Sequence, residues 1–262
     1  LLLPLTLPII LNNFLLKFKS YKKNEEIKSI CIGNIYLGGT GKTPTTIKLF
    51  HIFQELNFKV LTAKKFYKSQ IDEIKILEKK TKFLTEKNRN LVLQQAIKNN
   101  FEIVIFDDGL QDRAMNYNLK CVCFDAENFI GNGNLIPSGP LREKLNSLKK
   151  YDCIFFKSEN EVSKDKIDLC KKYNPNIEIF ETSYVINNLE KFDRSEKYLI
   201  FSGIGNAKSF YNILVKNKFN VVDEIIFTDH HEYKKEDIEK IIEKATEANA
   251  KILTTEKDYV KL

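Results

Sequence analysis

Apolar runs and helical patterns alternate along almost the whole chain. Ser29–Ile32 is an uninterrupted apolar run and predicts a first strand. Thr45–Leu56 places Ile47, Phe50, Phe53 and Leu56 at helical spacing. Lys59–Thr62 predicts a second strand, Asn90–Asn99 a helix and Phe101–Phe106 a continuous apolar strand that ends on Asp107-Asp108. Lys120–Phe124 and Cys153–Phe156 are further strands. Apolar strands bounded by helices imply a parallel sheet covered on both faces. The alternation resumes beyond Ser183. Tyr198–Phe201 and Val221–Phe227 predict strands around a helix at Ala207–Lys216. A helix over Lys234–Asn249, with Ile238, Ile241, Ile242 and Ala245 inward, leads to a strand at Lys251–Thr254. Two α/β lobes follow, residues 27–186 and 187–262, with a linker near Asn187–Glu196.

The turn after the first strand changes the picture. Gly38-Gly39-Thr40-Gly41-Lys42-Thr43 stands between that strand and the first helix. Glycines let backbone N–H groups converge on an anion, and a helix start adds the positive end of its dipole. In such a loop the lysine reaches the outer phosphates of a nucleotide and the Thr hydroxyl sits on Mg²⁺. Lys42 and Thr43 are therefore candidates for those roles, and Gly38 to Thr43 for the phosphate cradle. The general pattern G-x-x-x-x-G-K-[ST] would place its first glycine at position 36, which is Tyr36. Ligands of parallel sheets bind at the carboxyl ends of strands, where Asp107-Asp108 also falls. Carboxylates there can hold Mg²⁺ directly or through water.

Composition narrows the class without setting it. With 43% hydrophobic and 29% charged residues, the 262-residue chain reads as an ordinary globular protein. The five cysteines lack metal-ligand spacing, and their odd number and scatter suit a reducing compartment. The net charge of +7 is spread over Lys-rich helices and allows a mild attraction to anionic headgroups. No basic run interleaved with aromatics points to nucleic acid. Leu1 to Phe18 is apolar but broken by Pro4, Pro8 and Asn12-Asn13, and lysines follow it. It falls short of the about 20 apolar residues a spanning helix needs. Residues 1–26 are thus expected to form a helix lying in the membrane interface and a linker.

Further blocks stand in the chain: Gly33-Asn34, Phe106 to Gln111, Gly131 to Glu143, Phe201 to Asn206, Phe227 to Tyr233 and Leu253 to Asp258. With the glycine loop, and in this order, they resemble the tetraacyldisaccharide 4′-kinases, the lipid A 4′-kinases of Gram-negative bacteria. That family also carries a non-glycine residue where Tyr36 stands. The resemblance implies a phosphate-loop kinase using ATP and Mg²⁺. Its acceptor would be the 4′-hydroxyl of a tetraacylated glucosamine disaccharide 1-phosphate, its product lipid IVA. The place of action would be the cytoplasmic face of the inner membrane, by peripheral contact. It further implies a dyad of Asp72 and His230 that takes the proton of the sugar hydroxyl, with the first histidine of Asp229-His230-His231 as the base. Asn34, Tyr67, Glu73, Gln111, Arg142 and Glu143 are the expected substrate contacts.

This chain departs from the family at several positions. Ala63 to Tyr67 replaces a Ser-Arg-Gly-Tyr-Gly block, so an arginine becomes Lys64 or Lys65 and loses its bidentate fork. Ile71 and Ile74 flank Asp72-Glu73 in place of Gly and Pro, Asp112 replaces a histidine, and Tyr117-Asn118 replaces an Arg-Asp pair. Relatives run on beyond Thr255 to Asp258 and position 1 is Leu, so both ends are expected to be short. A rival reading is a membrane-associated phosphate-loop ATPase or GTPase that acts as a switch. It needs neither the His230 motif nor the Pro137–Glu143 loop.

Overall fold

The computed structural model of the protein describes residues 6, 8, 26–112 and 115–262. The expected interface helix at residues 1–26 lies almost wholly outside them. Two compact units divide the chain. The first contains the described residues up to Phe66 and Leu77–Ser183; the second contains Tyr67–Ile76 and Tyr184–Leu262.

The first unit is built on seven strands: β1 (Lys28–Gly33), β2 (Val60–Lys65), β3 (Phe83–Glu86), β4 (Ile103–Asp107), β5 (Leu119–Asp125), β6 (Cys153–Lys157) and β7 (Glu178–Thr182). They lie in the order β3-β2-β4-β1-β5-β6-β7 and every pairing is parallel. β1 sits between β4 and β5 and is buried on both faces, which explains its apolar stretch Ile30-Cys31-Ile32. Ile30 and Ile32 pack with Phe50 of α1 (Lys42–Glu55), while Cys31 packs with Val92 and Ala96 of α3 (Arg89–Lys98). One helix thus covers each face, because successive strand side chains alternate. Past β6, α4 (Lys164–Tyr173) covers the sheet with Cys170.

The helical face of α1 differs from its expected one. Thr43, Thr46 and Phe50 are its buried residues, and Leu56 lies past its end, 60% exposed. Short hydroxyl side chains face inward because the first turn must approach the sheet closely.

In the second unit, β8 (Lys197–Ser202) lies between β10 (Lys251–Thr254) and β9 (Asn220–Ile226), all parallel. Tyr198 and Ile200 pack on Ile213 and Leu214 of α5 (Ala207–Lys216). Leu199 and Phe201 pack on Ile241 and Ala245 of α6 (Lys235–Glu247). Ile242, expected inward, is 51% exposed, because two residues one position apart cannot both centre on one face. A last short helix, α7, spans Glu256–Tyr259.

The boundary between units corrects the expected lobes. Tyr67–Ile76, placed by sequence in the first lobe, belongs to the second unit. Most of it is the start of α2 (Ile71–Lys80), a helix the sequence pattern did not predict. Two bonds tie it to that unit: the Asp72 carboxylate meets His230, and Lys75 Nζ donates to the Val260 carbonyl at 2.9 Å.

Candidate active site

The glycine loop leaves β1 and enters α1 through Gly41, whose φ of 83° lies in the left-handed region. Gly38, at φ 125°, makes an earlier turn that L side chains rarely adopt. Gly41 is the N-cap and brings no side-chain acceptor to the helix start, and the first turn holds no acidic residue. Pro44 lacks a donor but sits in the first turn, where none is needed. The start of α1 thus carries no cap or carboxylate from its own side chains that would compete for an anion.

Asn34 braces the loop from within: its Nδ2 donates to Thr40 Oγ1 at 3.1 Å and to the Gly38 carbonyl at 3.3 Å. Residues Pro137–Glu143 lie beside the same loop. The Leu37 amide donates to the Pro140 carbonyl, and the Arg142 amide to the Ile35 carbonyl, both at 2.8 Å.

Charges converge where β4 ends. Thr43 Oγ1 donates to Asp107 Oδ2 at 2.9 Å, and Lys64 Nζ reaches the same oxygen at 3.0 Å. Asp108 lies 3.7 Å from Lys42 Nζ and 3.5 Å from Arg142 Nη1. Burial raises the Asp108 pKa, but Lys42, Lys64, Arg142 and Arg89 outweigh it and hold the carboxyl below its usual range. Asp108 has φ 62°, a sparsely populated conformation for a residue with a Cβ, held by its amide on the Ile32 carbonyl at 2.8 Å.

Lys64, not Lys65, therefore takes the inward position of the altered block. Its side chain is 1% exposed and its ammonium offsets the fully buried Asp107. Asp112 is likewise accounted for. It pairs with Arg89, a buried side chain that also donates to the Asp108 carbonyl. Tyr117 packs on Phe106, and Asn118 Oδ1 accepts from the Ser29 amide and hydroxyl at 2.9 Å. Arg89 carries no sequence signal; a basic residue opening a helix is ordinary.

Gln111 and Glu143 face inward. Gln111 Nε2 donates to the Asn34 carbonyl and to Glu143 Oε1, and Glu143 also accepts from Tyr151 and Lys150. Both brace the loop wall, while Arg142 stays accessible next to Asp108.

In the second unit, His230 Nδ1 lies 3.0 and 3.2 Å from the two oxygens of Asp72. The Glu73 amide donates to Asp72 Oδ1 at 2.9 Å. Burial raises the Asp72 pKa, but the His230 hydrogen bond, Lys257 and the Glu73 amide together hold it below the ordinary Asp range. This adds stability above that range, lost as pH falls through the depressed value. His231 points elsewhere: it stacks on Phe227 and its Nε2 meets Asp237 at 2.9 Å. Tyr67 stands at the start of the second unit's first segment, 44% exposed. Lys257, beside Glu73 and His230, carries no separate signal in the sequence, although it lies within the Thr255–Asp258 block.

A parallel sheet whose first strand runs through a glycine loop into a helix, and a second α/β unit that carries a carboxylate–imidazole pair, are the parts of a phosphate-loop phosphotransferase. Residues 9–262 match the tetraacyldisaccharide-1-P 4′-kinase (LpxK) family. The chain is 44% identical to the tetraacyldisaccharide 4′-kinase of Pelagibacter ubique (strain HTCC1062), over all of this chain and 83% of that protein. Identity to the enzyme of that name from Rickettsia bellii is 32%, over 90% of this chain and 77% of the relative. A crystal structure of LpxK from Aquifex aeolicus in complex with ATP shares the fold, with a TM-score of 0.69 at 20% identity, covering all of this chain and 89% of that one. The chain belongs to the tetraacyldisaccharide 4′-kinase family.

Proposed function

We propose that the protein moves the γ-phosphoryl group of ATP to the 4′-hydroxyl of a tetraacylated glucosamine disaccharide 1-phosphate, giving lipid IVA. The observation that carries this reading is the Asp72–His230 pair at 3.0 Å, a base for a hydroxyl, in a chain that also has the phosphate loop. The loop amides and Lys42 hold the phosphates of ATP and spread their charge; phosphoryl transfer is mostly positioning and electrostatics. Arg142, a partly buried guanidinium beside Asp108, is a fork for a phosphate oxygen. Asp72 fixes the imidazole through Nδ1, which leaves Nε2 to accept the hydroxyl proton.

Mg²⁺ fits the site on the chemistry of its donors: the Thr43 hydroxyl and the Asp107 and Asp108 carboxylates are hard oxygen ligands gathered at one strand end. When bound, the ion offsets the charge that develops on the transferred group. Among the described residues no cluster of three or more His, Cys, Asp or Glu is placed to hold a metal. Replacing Asp107 or Asp108 with Asn is expected to weaken the Mg²⁺ dependence or the rate by orders of magnitude. Mg²⁺ titrations of the rate check this; unchanged curves in both variants would reduce the pair to a structural strand end.

Peripheral attachment to the cytoplasmic face of the inner membrane belongs to the same proposal. No helix among the described residues is long and apolar enough to cross a membrane. The Leu1–Phe18 run, with lysines after it, suits an interfacial segment. Deleting it is expected to move the protein from the membrane to the soluble fraction and raise KM for lipid far more than for ATP. Unfolding of the shortened protein would assign the run to the core instead.

One assay tests the function directly: labelled ATP with the disaccharide lipid, followed by separation of a phosphorylated lipid. The switch reading predicts nucleotide hydrolysis without that product.

A further inference from the structure

Three carboxylates crowd the imidazole of His230. Asp72 lies 3.0 Å from His230 Nδ1, while Asp229 and Glu73 lie 3.8 and 4.0 Å from Nε2. Three carboxylates at such distances favour the imidazolium, which has no lone pair to take a proton. Lys257 stands against them. Its Nζ is 3.3 Å from His230 Nε2, 3.1 Å from Asp229, 3.7 Å from Asp72 and 3.8 Å from Glu73.

We propose that Lys257 is a positioning residue that keeps His230 in its proton-accepting form. The inference rests on the dyad reading given above and names what makes that dyad a base. An ammonium has three donors and no acceptor, so the ring nitrogen facing it presents its lone pair. Nε2 is then the unprotonated nitrogen, and Nδ1 carries the hydrogen that it donates to Asp72. The Lys257 charge also opposes a second proton on the ring. An acceptor hydroxyl that takes the place of Lys257 at Nε2 finds the lone pair already in position.

The placement is built by the fold. Asp258, next in sequence, is fully buried and accepts from the Gly203 amide at 3.0 Å and from the Tyr233 hydroxyl at 2.9 Å. The Gly203 carbonyl in turn accepts from the His230 amide at 3.2 Å. His230 is held at φ 60°, a conformation that a residue with a Cβ keeps only when its surroundings impose it. One glycine of β8's outgoing turn therefore fixes both partners. A Cβ there would lie 3.1 Å from the Thr228 carbonyl and 3.2 Å from Asp258 Oδ1. Among the described residues, the charged groups paired with the imidazole are Asp72 and Glu73 from α2, Asp229 from the loop after β9 and, as the cation, Lys257 from α7.

The test is an NMR titration of the histidines in the full-length protein without substrate, assigned with His51 and His231 variants. The wild-type protein should show the Nδ1–H tautomer of His230. In Lys257→Met and Lys257→Gln the titration midpoint of His230 should rise by about one pH unit or more, a tenfold or larger change in proton affinity. Lys257→Arg should keep it near wild type. The acidic limb of the kcat profile should move up with it, so that Lys257→Met loses activity near neutrality and regains it at higher pH, with KM for ATP unchanged. An unmoved midpoint in folded Lys257→Met or Lys257→Gln, or an Nε2–H tautomer in the wild type, would overturn the inference. A midpoint that rises while the kinetic limb stays put supports the charge balance and removes the dyad from the transfer step.

Discussion

Lys42→Ala is expected to lower kcat by about 10³-fold while leaving a folded protein. Lys42 opens α1 next to Gly41 and points its ammonium towards Asp108, 3.7 Å away, with 11% of the side chain exposed. It belongs to none of the apolar clusters that cover the sheet. Its loss removes one of the cations beside Asp108, while Lys64 and Arg142 remain to offset that carboxylate. In the transfer step the loss is larger, because a positive charge aimed at developing phosphate charge acts where water is excluded. Steady-state kinetics with ATP, with thermal unfolding as the control for folding, separates these two effects. Wild-type rates in the variant would remove the phosphate loop from the mechanism.

The second large effect concerns the acceptor. Asp72→Ala and His230→Ala should each reduce kcat by about 10²–10⁴-fold, the usual contribution of a general base. The double variant should lose hardly more than either single one. A carboxylate that orients an imidazole and an imidazole that takes a proton form one device, and removing half of it disables the whole. KM for ATP should stay near wild type in all three. The acidic limb of the pH–rate profile should disappear in His230→Ala. Asp72 does not account for that limb, since its carboxyl is held below the usual range by His230, Lys257 and the Glu73 amide. Losses that multiply in the double variant would mean that the two residues act separately.

Much of this site was legible in the sequence because its chemistry is local. A glycine cluster between a strand and a helix fixes its own backbone, and a carboxylate pair at a strand end needs no partner to be noticed. Strands β1, β4 and β5 announced themselves as apolar runs because they are buried on both faces. Helix α2 gave no such signal. It is only ten residues long, and its few apolar positions, with Ile74, Ile76 and Leu77 buried, stand among six charged ones. β7 and α4 give little signal for a related reason: edge strand β7 is mostly exposed and α4 is mostly charged.

The meaning of the altered positions needed coordinates. Lys64 and Lys65 are equivalent as letters, yet only Lys64 turns to Asp107, because strand side chains alternate and one face is covered. Asp112 reads as a lost histidine until Arg89, 23 residues earlier in the chain, is found against it. Glu143 reads as an expected substrate contact, and the fold adds Gln111, Lys150 and Tyr151 as its protein partners.

The central claim is that one chain joins a phosphate loop to a base for a sugar hydroxyl. The most direct measurement is transfer of label from [γ-³²P]ATP to the tetraacylated disaccharide 1-phosphate by the purified protein with Mg²⁺. A labelled lipid that appears with the wild-type chain, and fades about 10²-fold or more in His230→Ala while ATP binding persists, is the predicted result. Release of inorganic phosphate with no labelled lipid would contradict it.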